Sequence, residues 1–240
     1  MSVFAVTSGK GGAGKSCVCA YTAAALAKMG QNVLLVESGF GYRTADLIFG
    51  VHNEVLFDVS DVLEGRCNRQ KAIVTLPQGN LSLLMGPPMP HPYISAGRGT
   101  LEALLWQCAE EYDTVIVDGA DFAHVSPGLF DTVMLVVTPD TMSVRAGGVQ
   151  RSMIDAKDTG KLRLVINNAP ARIMPMLDIR DFDDIIDTVG ARLIGVVPHS
   201  PNLQYSSNNA VPIEEGSLTL DVFDNIAARL LGQHRKLLIR

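Results

Sequence analysis

Seven apolar runs of strand length recur along the chain, and longer segments with helical periodicity separate them. The runs are apolar throughout instead of alternating with polar residues, which is typical of parallel strands covered on both faces. Strands that alternate with helices in this way predict an α/β fold with a doubly wound, mostly parallel sheet of about seven or eight strands and helices on both faces. The predicted strands are residues 3–7, 33–37, 81–85, 114–118, 132–138, 163–167 and 193–198.

Size and composition favour one domain for this pattern. The 240 residues, of which 47% are hydrophobic, can bury a complete core, and no low-complexity linker or internal repeat divides them. The whole chain, 1–240, is therefore expected to form a single domain, with a short basic and apolar tail at 232–240. Four cysteines without a CxxC pair, no signal peptide and no membrane-length apolar stretch predict a cytoplasmic protein. The net charge of −5 argues against nucleic acid as a partner.

A glycine-rich loop follows the first predicted strand and precedes a helix predicted at residues 16–29. Residues 9–16 fit the phosphate-loop pattern Gly-x4-Gly-Lys-Ser, in the strand-loop-helix context that the pattern requires. Glycines let consecutive N–H groups face a phosphate, and the helix N-terminus adds the positive end of its dipole. Lys15 is predicted to bind the β- and γ-phosphates of ATP, and the Ser16 hydroxyl is predicted to bind Mg²⁺. The predicted contacts of this loop with ATP or ADP are Gly9, Gly11, Gly12, Ala13, Gly14, Lys15, Ser16 and Cys17.

A second lysine, Lys10, lies in the same loop and has no role toward one nucleotide in one subunit. The form KGGAGKS resembles the deviant phosphate loop of the MinD/ParA family of ATPases. In that family the early lysine contacts the nucleotide of the other subunit, which implies a homodimer in the ATP state. The resemblance extends over nearly the whole chain and is closest to the MinD branch, in the segments TADLIFG, DVLEG, VIVDGA, VVTPDTMSVR, LIGVVPHS and SNNAVPI.

The resemblance also implies roles for residues outside the loop. Asp118, at the end of a predicted strand, matches the aspartate that holds a water of the Mg²⁺ shell. Asn167 matches the asparagine that hydrogen-bonds adenine, with Asn168 as the neighbouring alternative. Pro198 and the loop after it match the segment that packs along the base. A protein of this kind is implied to be a spatial regulator, of division-site placement or a related task, which acts with a regulatory protein partner that the sequence does not identify.

The segment after the second predicted strand departs from the family pattern. The family has two aspartates there, as DxD, whereas this chain has Glu37-Ser38-Gly39. Glu37 keeps a carboxylate and is a catalytic candidate together with Lys10 and Lys15. Gly39 occupies the position of the aspartate that orients the attacking water, and it has no group for that task. The glycine reflects either a loss of that group or a backbone that needs a positive φ or a close approach to a phosphate. Because phosphate binding and water orientation use different residues, we expect nucleotide binding to survive and hydrolysis to be slow.

Two further departures involve Cys17 and the residues after Asp118. Cys17 stands where a threonine usually follows the loop serine. Asp118 is followed by Gly-Ala-Asp, so that Asp121 is a candidate for part of the charge that Gly39 lacks, although nothing in the sequence fixes the direction of its side chain. The pair Cys17-x-Cys19 resembles the paired cysteines of metal-delivery ATPases in the same superfamily. Residues two apart on a helix point to different faces, however, so the sequence favours buried thiols that pack the helix over a shared metal ion.

Three alternatives stay open at this point. The chain is either an ATP-driven switch, a pseudo-ATPase scaffold that binds nucleotide structurally and recruits a partner, or a metal-insertion ATPase. The tail after a predicted last helix at residues 218–231 reads QHRKLLIR, which is too short for a stable isolated helix. A frayed end is favoured over a membrane anchor, and weak contact with the inner face of the cell membrane is the alternative.

Overall fold

A central sheet organises the residues that the computed structural model describes, which are 1–38, 43–77, 79–89, 98–120, 122, 125–154, 160–172 and 179–238, without the side chains of 98–100. Its strands are β1 (Ser2–Thr7), β2 (Val33–Glu37), β3 (Ile73–Thr75), β4 (Leu81–Leu84), β5 (Thr114–Asp118), β6 (Thr132–Val137), β7 (Leu162–Ala169) and β8 (Arg192–Pro198). Their order across the sheet is β3-β4-β2-β5-β1-β6-β7-β8. Every neighbouring pair is parallel except β3 and β4, which confirms the predicted fold class.

Helices cover both faces of the sheet, which explains why the strands are apolar on both sides. The described helices are α1 (Lys15–Lys28), α2 (Ala45–Ile48), α3 (Val59–Leu63), α4 (Arg69–Ala72), α5 (Arg98–Ala109), α6 (Thr141–Ser152), α7 (Phe182–Val189), α8 (Pro201–Asn209) and α9 (Leu218–Leu230). Along β1, Val3 and Ala5 belong to the core that α5, α6 and α7 cover. Phe4 and Val6 belong to the core on the other face, under α1 and α9.

All seven predicted strands are present, with ends that differ from the prediction by two residues or fewer. The sequence analysis missed β3, a three-residue strand that pairs antiparallel with β4 at the edge of the sheet. Its residues are half-buried or exposed, because an edge strand has a neighbour on one side only. A segment this short shows no clear periodicity in the sequence, so tertiary pairing alone defines it.

Helix α1 is apolar all round because it is buried between the sheet and α9. Small residues dominate it, and Tyr21 stacks on Phe223 of α9 with ring centroids 5.4 Å apart. The Tyr21 hydroxyl lies 3.0 Å from the Ser206 hydroxyl of α8, which satisfies its polar end. The chain leaves the helix at Gly30, whose φ of 87° is the left-handed conformation expected of a residue that ends a helix.

The tail after α9 is held against the body of the protein, and the expectation of a frayed end is wrong up to Leu238. Arg229 donates a hydrogen bond to the carbonyl of Arg235 at 2.8 Å, and Asn225 donates one to the carbonyl of Lys236 at 2.8 Å. Leu238 packs on the core under α1 and α9. The polar side chains on the last turns of α9 therefore fix the tail, a contact that the sequence does not reveal. Among the described residues, no helix has the length and hydropathy needed to cross a bilayer.

Candidate functional site

The loop at residues 9–16 joins β1 to α1 and requires glycine for steric reasons. Gly12 and Gly14 have φ values of 77° and 88°, in the left-handed region that side chains rarely adopt. A Cβ atom on Gly14 would lie 2.2 Å from the amide nitrogen of Asn167. A Cβ atom on Gly9 would lie 2.1 Å from the carbonyl oxygen of Ala146 on α6. This backbone therefore demands the glycine pattern that the sequence presents.

The N-terminus of α1 is open to an anion. Gly14 is the N-cap residue, and within the described part of the chain no side chain caps the helix and no acidic residue lies in its first turn. The first N–H groups of a helix have no partner inside it and carry the positive end of its dipole. Lys15 is the first residue of α1 and adds a full positive charge at the same point. The arrangement suits a bound phosphate.

Asp118 ends β5 beside the first turn of α1 and is buried. Burial raises the pKa of its carboxyl, while a hydrogen bond from Ser16 and the charge of Lys15 lower it in part. One carboxylate oxygen, Oδ1, is buried and has no hydrogen-bond partner among the described residues. A buried oxygen without a donor calls for a partner such as a hydrated cation, and oxygen ligands are those that Mg²⁺ prefers. Ser16 and Asp118 therefore fit the predicted Mg²⁺ site.

Glu37 ends β2 and is the direct neighbour of Asp118 across the β2–β5 pair. Its Oε1 accepts hydrogen bonds from the Thr44 N–H at 2.7 Å, the Thr44 hydroxyl at 2.8 Å and the Ala45 N–H at 3.1 Å. Burial raises the pKa of Glu37 to about 7, the three bonds oppose the rise, and Asp118 adds to it. The carboxylate thus holds the start of α2. Gly39 lies outside the described residues, and so does the other carboxylate candidate of the sequence analysis, Asp121.

Lys10 forms an ion pair within its own chain. Its Nζ lies 3.1 Å from Oδ1 and 3.3 Å from Oδ2 of Asp140, and both side chains are partly exposed. Asp140 is also the N-cap of α6, because its side chain accepts a hydrogen bond from the Ser143 N–H. Burial raises the pKa of Asp140, but its hydrogen bonds from Thr138, Ser143 and Lys10 lower it by more. The net pKa is lowered, so the carboxylate stays ionised. In the single chain, the second lysine of the loop is therefore held by α6.

A pocket of about 320 Å³ adjoins the loop and is lined mainly by the carboxyl ends of β7 and β8 and by α8. Asn168 lies in this pocket with a φ of 56°, at a register shift between β7 and β8. A bulge with a left-handed residue redirects a side chain, and asparagine tolerates that conformation better than most residues. The Asn168 Oδ1 lies 2.7 Å from Nδ1 of His199, which lines the same pocket. This polar pair stands at the place expected for a base.

Asn167, the predicted adenine contact, also lines the pocket, but its amide is engaged with the loop. Its Nδ2 donates to the carbonyl of Ala13 at 2.8 Å, and the residue is buried. Pro198, predicted to pack along the base, lies in the same pocket. The base contact of Asn167 stays a prediction, and the exposed Asn168 is as well placed for it.

The two cysteines of α1 lie in different surroundings. Cys19 is fully buried in the core, whereas Cys17 is half-buried with its sulfur 3.9 Å from the Ser207 hydroxyl. Burial raises the pKa of Cys17 to about 11 and that of Cys19 well above its ordinary value, so neither is a ready thiolate. The part of the chain that is described contains no group of three His, Cys, Asp or Glu side chains arranged to hold a metal ion.

Asp140 was not predicted from the sequence, and His199 was included only as part of the loop after Pro198. Asp140 follows the strand β6, which neighbours β1, and an aspartate before a helix is a common N-cap. The order of strands would have placed it beside the loop. His199 immediately follows β8, so the rule that ligands bind at the carboxyl ends of parallel strands was the available signal.

Comparisons with known proteins agree with this arrangement. A family model described as the CobQ/CobB/MinD/ParA nucleotide binding domain matches residues 4–213. The septum site-determining protein MinD of Synechocystis sp. is 29% identical over 240 residues, which cover 96% of this chain and 90% of that protein. A chain of the MinC:MinD cell division protein complex of Aquifex aeolicus superposes with a TM-score of 0.80 and 29% identity over 99% of this chain and 98% of that chain. MinD of Pyrococcus horikoshii, complexed with Mg-ADP, shares the fold with a TM-score of 0.77 at 21% identity over 95% of each chain.

Proposed function

Since the chain belongs to the CobQ/CobB/MinD/ParA family of nucleotide-binding domains, we propose that it is a single-domain, nucleotide-switched ATPase of the MinD/ParA type. In this proposal ATP and Mg²⁺ hold two copies face to face, and ADP releases them. The observation that carries it is the glycine-dependent loop at the open N-terminus of α1, next to a buried Asp118 oxygen that has no described partner. The cellular task would be spatial regulation of division-site placement or a related process, which the names of the relatives support.

The roles within one chain follow from the charges at the loop. Lys15 and the N–H groups of the loop would bind the β- and γ-phosphates of the nucleotide. Ser16 and Asp118 would hold Mg²⁺, Asp118 through a water molecule. A bound Mg²⁺ ion supplies positive charge that offsets the phosphates and the two buried carboxylates.

Lys10 is proposed to contact the nucleotide of the second copy. Its side chain is 42% exposed and, among the described residues, is bonded to Asp140 alone, so it can leave without exposing a buried group. An exposed ion pair contributes up to about 1 kcal/mol, whereas a hydrogen bond to a charged group contributes about 1.5–3 kcal/mol. If Lys10 leaves Asp140 and binds a phosphate of the second copy, the stronger hydrogen bond would therefore favour the dimer when ATP is bound.

A regulatory protein partner is proposed to bind the outer face of α6. Met142, Val149 and Met153 are 74%, 56% and 58% exposed and follow one another at helical spacing. Exposed large apolar residues in a row are typical of protein interaction surfaces. The same helix begins at Asp140, which binds Lys10, so a partner on this face would lie close to the proposed switch. The MinC:MinD complex of the Aquifex relative supports a partner of this kind.

Hydrolysis is proposed to be slow. The chain has Gly39 where the family has an aspartate, and the carboxylate of Glu37 is already bonded to Thr44 and Ala45. These two facts also favour a second candidate function, a pseudo-ATPase scaffold that keeps its nucleotide and recruits a partner without turnover. Weak membrane contact of the tail, the alternative to a frayed end, is less favoured for either candidate function, since Arg229 and Asn225 hold the tail against α9.

Steady-state phosphate release separates the two candidates. The unmodified chain should turn over slowly in Mg-ATP, and Gly39→Asp should raise the rate by about tenfold or more while ATP affinity changes little. Asp121→Ala tests whether Asp121 supplies the missing carboxylate, in which case this variant should turn over more slowly than the unmodified chain. No turnover in the unmodified chain and in Gly39→Asp, with ATP bound tightly, would favour the scaffold. Fast turnover in the unmodified chain would contradict the proposal of slow hydrolysis.

A further inference from the structure

Arginines cluster at the end of the sheet opposite the phosphate loop. Arg163 near the start of β7 and Arg192 at the start of β8 are direct neighbours in the pairing of these parallel strands. Arg229 reaches them from α9 and donates to the carbonyl of Leu193 at 3.3 Å. The three side chains line one pocket of about 320 Å³, together with residues 232–235 of the tail. The cluster therefore combines three elements that are distant in the sequence.

Among the described residues, no carboxylate pairs with these arginines. The hydrogen bonds of Arg163 go to the carbonyls of Gly160 and Leu162, and those of Arg229 go to the carbonyls of Leu193 and Arg235. Within the described ranges, no acidic side chain forms an ion pair with Arg163, Arg192 or Arg229. The chain has 25 acidic residues against 20 lysines and arginines, so composition does not account for the lack of acidic neighbours.

Such a cluster destabilises the ligand-free chain. Like charges directly opposite each other on adjacent strands repel. The pKa of Arg163 is lowered by burial first and then by the charges of Arg192 and Arg229. A guanidinium group keeps its charge in proteins, so deprotonation does not relieve the repulsion. Since no described carboxylate pairs with these arginines, solvent or a bound anion is left to reduce the repulsion among the described residues.

The pocket has the size and the donors for a small anion. Its volume of about 320 Å³ lies at the lower end of the range for small-molecule sites. The bond from Arg229 to the carbonyl of Arg235 holds the tail as one wall, and Arg235 and His234 also line the pocket. Guanidinium forks match the oxygen spacing of phosphate, and three of them around one cavity favour a compact phosphoryl group over an extended polyanion.

We propose that Arg163, Arg192 and Arg229 form a second binding site, for a phosphoryl group, at the amino ends of β7 and β8. The group is carried either by a soluble phosphoryl compound or by the headgroup of an anionic phospholipid. This site is separate from the phosphate loop, and it does not depend on the proposed ATPase function.

Isothermal titration with pyrophosphate tests the site, at constant ionic strength and without Mg²⁺. Because the phosphate loop also attracts pyrophosphate, each arginine variant is compared in the unmodified chain and in Lys15→Ala. Binding that survives Lys15→Ala should be weakened about tenfold by Arg192→Ala or Arg163→Ala. Arg180→Ala is the matched control, since it removes an arginine that is already paired with Asp184. Binding that is lost in Lys15→Ala and unchanged in Arg192→Ala would overturn the proposal, unless the vesicles described below bind through the arginines.

Thermal unfolding of the same variants provides a second test. The difference in stability between Arg192→Ala and the unmodified chain should change sign when pyrophosphate is added, which a purely structural role of Arg192 would not produce. Without an anion, Arg192→Ala should be as stable as the unmodified chain or more stable, because one repulsion is removed. With saturating pyrophosphate, the unmodified chain should be the more stable of the two. Lower stability of Arg192→Ala by the same amount in both conditions would indicate a structural arginine and would overturn the proposal.

Vesicle flotation identifies the source of the phosphoryl group. Vesicles of phosphatidylcholine alone are compared with vesicles that contain equal amounts of phosphatidylcholine and phosphatidylglycerol. Retention on the anionic vesicles that Arg192→Ala abolishes and Arg180→Ala does not would assign a lipid headgroup. Pyrophosphate binding without retention would assign a soluble compound. Binding of a DNA duplex through these arginines, without pyrophosphate or vesicle binding, would overturn the proposal in favour of a nucleic-acid surface.

Discussion

Two pairs of like charges lie at opposite ends of the sheet, each on adjacent parallel strands. Glu37 and Asp118 are opposed at the carboxyl ends of β2 and β5, and Arg163 and Arg192 are opposed at the amino ends of β7 and β8. The carboxyl groups can relieve their repulsion by holding a proton, and burial raises the pKa of both. The arginines cannot relieve their repulsion by a change of protonation, because a guanidinium group keeps its proton and its charge. At the carboxyl end of the sheet, the free-energy cost of the two carboxyl groups without a cation therefore depends on pH. At the amino end, only an anion or water can reduce the repulsion between the two described arginines.

The surroundings of the two pairs differ as well. At the carboxyl end, Lys15 and Ser16 act on Asp118, and Thr44 and Ala45 donate to Glu37. At the amino end, the described hydrogen bonds of the arginines reach backbone carbonyls only. The carboxyl end thus resembles a site that is built for a defined ligand and is partly satisfied by its own chain.

The largest effect is expected from Lys15, the positive charge at the carboxyl end of the sheet. Lys15→Ala should weaken ATP binding by about a thousandfold, because it removes charged hydrogen bonds to two phosphates. Lys28→Ala, at the other end of α1, removes a lysine that pairs with Asp224 and should leave the affinity unchanged. Isothermal titration measures both. If Lys15→Ala binds ATP like the unmodified chain, the loop is not the nucleotide site.

The pH dependence of stability should follow Glu37. Its pKa of about 7 lies above the ordinary 4.5, so the folded chain keeps a proton that the unfolded chain loses. Its contribution to stability is therefore complete below pH 4.5 and is lost as the pH rises through about 7, by at most about 3 kcal/mol.

Urea unfolding at several pH values, without nucleotide, measures this decline. Glu37→Gln keeps an amide oxygen for Thr44 and Ala45 and should flatten the decline. A smaller slope should remain, because the pKa of Asp118 is raised as well. If stability declines with pH equally steeply in Glu37→Gln and in the unmodified chain, groups other than Glu37 cause the decline.

The steric demand of the loop should appear as a loss of stability. Gly14→Ala places a Cβ 2.2 Å from the Asn167 amide in a left-handed backbone, which should lower the free energy of unfolding by about 2 kcal/mol. Gly11→Ala is the matched control within the same loop, since its Cβ would have no described neighbour within 4 Å and its φ is not positive. Equal unfolding midpoints for the two variants would contradict the packing of Asn167 against the loop.

The smallest effect is expected from the ion pair that holds Lys10. Asp140→Asn keeps an N-cap for α6 and releases Lys10, so ATP-dependent dimerisation should occur at a concentration about fivefold lower. Asp181→Asn changes the N-cap of α7 in the same way, without contact to Lys10, and serves as the control. Analytical ultracentrifugation in Mg-ATP gives the dissociation constants. Weaker dimerisation of Asp140→Asn would mean that Asp140 supports the dimer directly.

The sequence predicted the fold well where its signals were local and repeated. Apolar runs identified seven strands, and one glycine-rich loop identified the start of α1 and a candidate phosphate loop, because each signal lies within a contiguous segment. Contacts between distant segments were not accessible. The pairing of Lys10 with Asp140 spans 130 residues, and the conformation of Asn168 depends on a register shift between β7 and β8. The arginine pocket has no motif, since its members meet only through strand pairing and the packing of α9.

The central claim is that ATP joins two copies of this chain through Lys10, and the molar mass in solution tests it most directly. Size-exclusion chromatography with light scattering compares Mg-ADP with Mg-ATP at one protein concentration, for the unmodified chain and for Lys10→Ala. The unmodified protein should have the mass of one chain in ADP and of two chains in ATP, and Lys10→Ala should have the mass of one chain in both nucleotides. A single chain in ATP for the unmodified protein, with ATP shown to be bound, would contradict the central claim.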